Sequence, residues 1–301
     1  MTSRSALLPA VFVLLWCTGY LVVPIAMADA GPVRFLALRF GSAAVLLAIA
    51  ALLLRAPWPR RGGDYAHLAA VGLLLHAFGL GGVWVALDLG VETGVAALVM
   101  GTQPLITAVL AVGFIGERID RRAAAGLGAG FLGVTLVMHH KLSGVGEPAG
   151  LAAVVVAVVA MTLGMLYQKR RCAHIDLVTS TTTQLAVAGA AAFAVAWWID
   201  DRPIEWSMRI AATLGWSVLV LSIGATIVLY MLLRRGDASR VASLLYLVPP
   251  LTAAMAWIGF GERLAPLTIA GMALTATGVA LVAGPRAHES PGARRARGAD
   301  R

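Results

Sequence analysis

Apolar residues run along this chain in long blocks separated by short gaps rich in charge, proline and glycine. The blocks show neither the strict alternation of a half-buried strand nor the single stripe of a soluble surface helix, so the pattern predicts helices apolar on every side. A bilayer core about 30 Å thick takes roughly 20 such residues to cross. Ten blocks of about that length occur, at Leu7–Ala28, Val33–Leu54, His67–Leu87, Gly94–Phe114, Ala123–Met138, Leu151–Tyr167, Val178–Trp198, Ile210–Leu233, Val241–Phe260 and Pro266–Val282. The fifth and tenth are short. The fold class read from this pattern is all-α and integral to a membrane, with ten transmembrane helices.

Much of the chain occurs twice. The stretch Pro104–Val137 aligns without a gap on Pro249–Val282 at a shift of 145 residues, so that Gly116-Glu117-Arg118 meets Gly261-Glu262-Arg263 and Gly133-Val134 meets Gly278-Val279. Such a repeat is read before anything else. The first block follows Arg4 and ends in Ala26-Met27-Ala28, which also has the look of a cleaved secretory signal. The same shift places it on Ala152–Ala173, with Gly19 on Gly164, and an internal counterpart makes it a structural helix. The expected organisation is a first five-helix repeat over 1–145, a second over 146–284, and a basic tail over 285–301. Five crossings are an odd number, so the second repeat enters the membrane from the opposite side. The repeats are then inverted copies, which is the architecture of alternating-access secondary transporters.

Composition fits this picture: 59% of residues are hydrophobic and 13% charged, too little polar surface for a water-soluble globule. The net charge of +9 sits in the gaps and the tail, a loop pattern and not a nucleic-acid face. With the N-terminus placed in the cytoplasm, eighteen Lys and Arg fall on the inner side and five on the outer, with Arg39 left within a helix. A multi-pass protein of the cell inner (plasma) membrane with both termini cytoplasmic is expected. No GxxxxGK[ST] sequence is present, so nucleotide energy is not expected. No HExxH or Ser/His/Asp grouping points to catalysis, and the outer-loop pair His139-His140 reads as exposed. Cys17 and Cys172 have neither metal-ligand spacing nor a disulfide partnership, and no cofactor is expected.

Several features together resemble the EamA-type drug/metabolite transporter superfamily: two five-helix repeats, Trp16 and Gly19, the Leu38-Arg39-Phe40 element, and the Pro…Gly-Glu-Arg pattern ending the fourth and ninth helices. The resemblance extends to about residue 284. It implies a central cavity formed mainly by the first, third, fourth, sixth, eighth and ninth helices, with the fifth and tenth bracing the outside. It also implies transport, in many members export of amino acids or other small metabolites. Strict symmetry fails where Arg39 faces Gln184 and Gln103 faces Val248.

The residues that carry chemistry are few, and each has a structural alternative. Pro104, Pro249 and Pro250 remove amide donors and free the carbonyls of Met100, Leu245 and Tyr246, giving either cavity-lining hinges or packing kinks. Gln103 and Tyr246, beside those prolines, and Trp16 are candidate cavity-wall residues, whereas Trp84, Tyr167 and Tyr230 lie near span ends and read as an interfacial belt. His76, near the middle of the third helix, is either a proton carrier or a neutral histidine bonded within the bundle. Arg39, about six residues into the second helix, would attract a substrate carboxylate or else snorkel or pair with Asp88 or Glu92, the structural role being favoured. Glu117-Arg118 and Glu262-Arg263 sit at helix ends, where anchoring of loops or gating is expected. Gly126, Gly130 and Gly133 permit close helix approach, within the bundle or across a homodimer. The expected partners are a small-molecule substrate and the lipid bilayer. Export of drugs or cations ranks lower because no carboxylate lies in the middle of a span, and a non-transporting scaffold would not need the inverted symmetry.

Overall fold

The computed structural model describes residues 3–138, 147–199, 202–251, 253–254 and 265–284. Among them the regular elements are all helices. In chain order these are α1 (Ser3–Asp29), α2 (Pro32–Leu53), α3 (Gly62–Asp88), α4 (Thr93–Ile115), α5 (Arg121–Met138), α6 (Pro148–Cys172), α7 (Leu177–Ile199) and α8 (Met208–Arg235). Then follow α9, whose described part opens with Ala238–Ser243 and the tighter 3-10 turn Leu244–Leu247, and α10 (Pro266–Ala283). Eight helices are long and apolar enough to cross a membrane; the other two are α5, which begins with Arg121-Arg122, and the partly described α9. Glu262, Arg263, the His139-His140 pair and the tail from residue 285 lie outside the described residues.

Local chemistry sets the ends. Pro32, Pro148 and Pro266 sit in the first turns of α2, α6 and α10, where their missing amide costs nothing. Asp120, Asp176 and Ser207 cap α5, α7 and α8 by accepting the amides of Ala123 (2.7 Å), Val178 (2.9 Å) and Ile210 (3.3 Å). Gly116, with φ of 68°, stops α4 in the left-handed conformation that glycine adopts freely. The basic run Lys169-Arg170-Arg171, expected in a loop, belongs instead to the widened last turn of α6.

Besides the end of α6, two spans contain nine-residue stretches wound as π-helix, Gly72–Leu80 in α3 and Ser217–Ala225 in α8. They occupy the same positions under the 145-residue shift. The glycines explain the closest packing. A Cβ on Gly126 would come within 2.6 Å of the Gly278 carbonyl oxygen, and one on Gly133 within 2.7 Å of that of Gly271. α5 and α10 therefore lie in backbone contact and run antiparallel. The small-residue face of α5, which also offered itself to a second copy, is filled by this chain's own α10. α3 and α6 are likewise antiparallel and close, Gly82 meeting Ala157, Gly79 meeting Met161 and Gly164 meeting Leu75. Outward faces carry Val45, Ile49, Val109, Val112, Leu132, Val156, Phe193 and Ile269 exposed, the surface a hydrocarbon environment would cover.

Charges collect at the two ends of the bundle. At one end Arg202 bonds Asp88 at 2.6 Å, Arg209 grips Asp29, and Arg34 donates to the Arg202 carbonyl at 3.0 Å. At the other end are Glu117 and Lys169.

Candidate functional site

The core of the bundle encloses a cavity of about 900 Å³. Residues 1–145 supply Trp16 and Gly19 from α1, Arg39 from α2, His76 and Trp84 from α3, and Met100, Gln103 and Pro104 from α4; the rest of the chain supplies Met161, Ser222, Leu229, Val248 and Pro249. The cavity reaches Glu92 and Thr93, which are exposed at the Asp88–Arg202 end. Toward the other end it is closed by one apolar cluster that includes Phe12, Cys17, Leu68, Leu166, Tyr230 and Leu233. A large apolar chamber with a few polar groups is the usual form of a site for a small organic molecule.

Two of its polar walls are Arg39 and His76, both buried. Arg39 Nε donates to Ser222 Oγ at 2.8 Å, joining α2 to α8. None of the described carboxylates pairs with it: Asp88, a partner expected from sequence, is held by Arg202, and Asp29 by Arg209. His76 Nε2 lies 3.3 Å from the Tyr230 hydroxyl. Tyr230 donates in turn to Gln184 Oε1, and Gln184 Nε2 donates to Gln168 Oε1 and Ser180 Oγ, each at 2.9 Å. A buried polar chain thus runs from the cavity wall through α8 and α7 to α6. A network satisfied at each link holds its members in one geometry.

The proline positions coincide with breaks in helix geometry. α4 is interrupted by a turn at Gly101-Thr102 and resumes at Gln103 with Pro104 in its first turn; the Thr102 hydroxyl donates to the Val99 carbonyl at 2.6 Å. In α9 the 3-10 turn comes directly before Val248, Pro249 and Pro250, and Pro249 borders the cavity while Pro250 is buried beside it. Gln103 borders the cavity too, yet its Nε2 is buried without a partner, as is Thr107 Oγ1 one turn on. Tyr246 stands elsewhere than expected. It is off the cavity, packed onto α5 so tightly that a Cβ on Gly130 would come within 2.5 Å of its ring, and its hydroxyl has no partner. The half-turn between Tyr246 and Val248 decides this: Val248 faces the cavity and Tyr246 faces α5. Trp84 and Tyr230 are fully buried, not interfacial; Trp84 stacks on Phe35 with ring centroids 5.4 Å apart.

At the closed end Glu117 follows Gly116, the residue that stops α4, and is buried. Its Oε1 accepts from Lys169 Nζ at 2.7 Å and from the Ala238 amide at 2.6 Å; its Oε2 accepts from the Ser239 hydroxyl at 2.8 Å and the Ser239 amide at 3.2 Å. One carboxylate thus caps the first turn of α9 and ties α4 to α6. Burial by itself would raise its pKa, but the bonds from Lys169, Ala238 and Ser239 outweigh burial and hold the carboxyl below its ordinary range. Arg118 beside it is exposed. Sequence reasoning missed Lys169, Ser222, Gln168 and Ser180. The one available signal was Gln184, an amide in an apolar span at the position matching Arg39.

Known proteins bear on this geometry. The model of the EamA-like transporter family matches residues 4–139 and again 148–284. The chain is 26% identical to the uncharacterized transporter YvbV of Bacillus subtilis (strain 168), over 93% of this chain and 92% of that one. It is 27% identical to a probable amino-acid metabolite efflux pump of Escherichia coli (strain K12), over 93% and 94%. One solved crystal structure shares the fold with a TM-score of 0.76 at 21% identity, covering 98% of this chain and 99% of the other.

Proposed function

Because the chain belongs to the EamA-like transporter family, we propose that it is a secondary transporter exporting a small metabolite, such as an amino acid, by alternating access. The observation that carries this reading is the cavity between the two halves, reaching exposed residues at one end and closed at the other. The amino-acid class comes from the efflux pumps of Escherichia coli and Salmonella typhimurium, to which the chain is similar. The full count of ten spans in two inverted repeats, over 1–145 and 146–284, is part of the proposal. It is supported by the antiparallel contact of α5 with α10 and by the matching π-helical stretches of α3 and α8. The basic-loop bias supports the part of the reading that has both termini in the cytoplasm. The Glu117 end is then the inner gate, shut here, and the cavity faces outward.

In this reading Trp16, His76 and Gln103 meet the substrate, the breaks at Pro104 and Pro249-Pro250 are hinges, and Tyr246 moves with α9 against α5. Alternating access requires the Glu117 cluster to part as the opposite end closes. A drug or cation exporter is disfavoured because, among the described residues, the only carboxylate bordering the cavity is Glu92, at its exposed end. The test compares metabolites in the medium of cells with and without the gene, followed by efflux from proteoliposomes of whatever differs. Release of an amino acid or similar metabolite is expected. No difference in the medium together with no efflux would exclude transport and leave a membrane scaffold, whereas release of organic cations would retain transport and overturn the substrate class.

A further inference from the structure

Arg39 presents a problem of charge. It is buried at membrane depth, and a cation there is costly unless it meets an anion or water. Its Nε is committed to Ser222. Its terminal nitrogens make no hydrogen bond among the described residues. Among the described residues, the buried side-chain nitrogens and oxygens that are both sealed and unpartnered are Gln103 Nε2, Thr107 Oγ1 and the Tyr246 hydroxyl, so the free edge of the guanidinium is open to the cavity that Arg39 lines. Ser222 therefore fixes the side chain through one nitrogen and leaves a planar pair of donors toward the chamber, the arrangement that takes a carboxylate in two parallel bonds.

His76 completes the recognition. Gln184 uses its amide nitrogen on Gln168 and Ser180, so its oxygen must accept, and the single Tyr230 hydroxyl proton goes there. The Tyr230 oxygen can then only accept from His76, which fixes the proton on Nε2. Nδ1 is then the ring nitrogen left as an acceptor, on a residue that lines the cavity. Arg39 and His76 flank the same side chain: the Phe40 ring centroid is 5.8 Å from the guanidinium carbon and 5.8 Å from the imidazole centroid. The cavity thus offers a cationic double donor and, close by, a lone acceptor, with Trp16, Trp84 and Leu229 as apolar wall.

We infer that Arg39 and His76 form a binding site for a carboxylate that carries an N–H or O–H donor beside it, on a compound with an apolar body. This deepens the transport reading above and rests on it. The two polar ends of the ligand answer the two walls, and the apolar body occupies the rest of the chamber. Compounds that lack a carboxylate leave the Arg39 charge uncompensated and are rejected.

The experiment uses the full chain in liposomes loaded with a polar metabolite extract, with empty-liposome controls, and identifies released compounds by mass spectrometry. The wild type is expected to release carboxylates bearing an adjacent N–H or O–H group. Arg39→Gln should release them at least tenfold more slowly, and Arg39→Lys should retain part of the rate. Release of mainly compounds that lack a carboxylate, or an unchanged set and rate in Arg39→Gln, overturns the assignment and leaves transport standing. If Arg39→Gln does not fold, the wild-type set decides alone. Release of nothing by the wild type overturns the transport reading and this site together.

Discussion

Lys169 Nζ lies 2.7 Å from Glu117 Oε1, an ion pair that joins the end of α4 to the end of α6 across the two family-matched segments. The same carboxylate caps α9 through Ala238 and Ser239, so three helices meet on two oxygen atoms. Glu117→Gln removes the charge and keeps the shape. Hydrogen bonds to charged groups are worth about 1.5–3 kcal/mol each, and every 1.4 kcal/mol is about a tenfold change in population. Labelling of Ala242→Cys, a buried position in the cluster beneath this contact, is expected to speed up by at least about tenfold in the Glu117→Gln background. An unchanged labelling rate would show that the carboxylate does not hold this end shut.

The same contact sets a pH dependence. Glu117 is held below its ordinary carboxylate value of 4.5. A group with a lowered folded pKa adds stability that is complete above the unfolded value and disappears as pH falls through the folded one. The difference in unfolding midpoint between wild type and Glu117→Gln should therefore be constant from neutral pH down to about 5 and shrink only under stronger acid. A difference that disappears near pH 6 would contradict the assignment.

Gly133 and Gly271 hold α5 and α10 in backbone contact. Gly133→Ala and Gly271→Ala each force the helices apart and should lower stability by about 1–3 kcal/mol, whereas Gly128→Ala, with open space at its Cβ, should be neutral or slightly stabilising. Denaturation in detergent compares the three.

Gln103 carries a buried amide nitrogen with no partner. Leaving such a donor unpaired costs about 1–3 kcal/mol, so Gln103→Met, which fills a similar volume, should raise the unfolding midpoint. If the amide serves the substrate, the same variant loses transport. Gain of stability with unchanged transport would remove Gln103 from the site.

Tyr230→Phe strips one hydroxyl from the buried chain and leaves Gln184 Oε1 unpaired, a loss of about 1–3 kcal/mol. Tyr230→Phe combined with Gln184→Leu should recover part of it, and the coupling is read from the double-mutant cycle. Strict additivity would mean that the chain does not act as a unit.

The spans were legible in the sequence because a bilayer forces long apolar runs, and the repeat because it preserved glycines where backbones touch. Gly126, Gly130 and Gly133 announced a close helix approach at α5, although not that its partner is this chain's own α10. What stayed hidden was azimuth. A helix that is apolar all round gives no clue to which side a single polar residue faces, so Tyr230 read as an interfacial tyrosine and Tyr246 as a cavity wall, when the first bonds into the core and the second packs on Gly130. Lys169 read as one loop charge among three because its carboxylate partner is 52 residues away. The asymmetry at Arg39 and Gln184 was visible, but the two buried polar groupings built on these residues emerge only in three dimensions.

The π-helical stretches carry a record of descent. Gly72–Leu80 and Ser217–Ala225 coincide in position and length under the 145-residue shift, and a feature shared by both copies is older than the doubling that produced them. The wide turns therefore belong to both family-matched segments, 4–139 and 148–284. Arg39 stands opposite Gln184 and His76 opposite Leu221, so these differences date from after the doubling, through gain in one copy or loss in the other. The scaffold is the inheritance, and the polar chemistry of the chamber is what the two copies made of it separately.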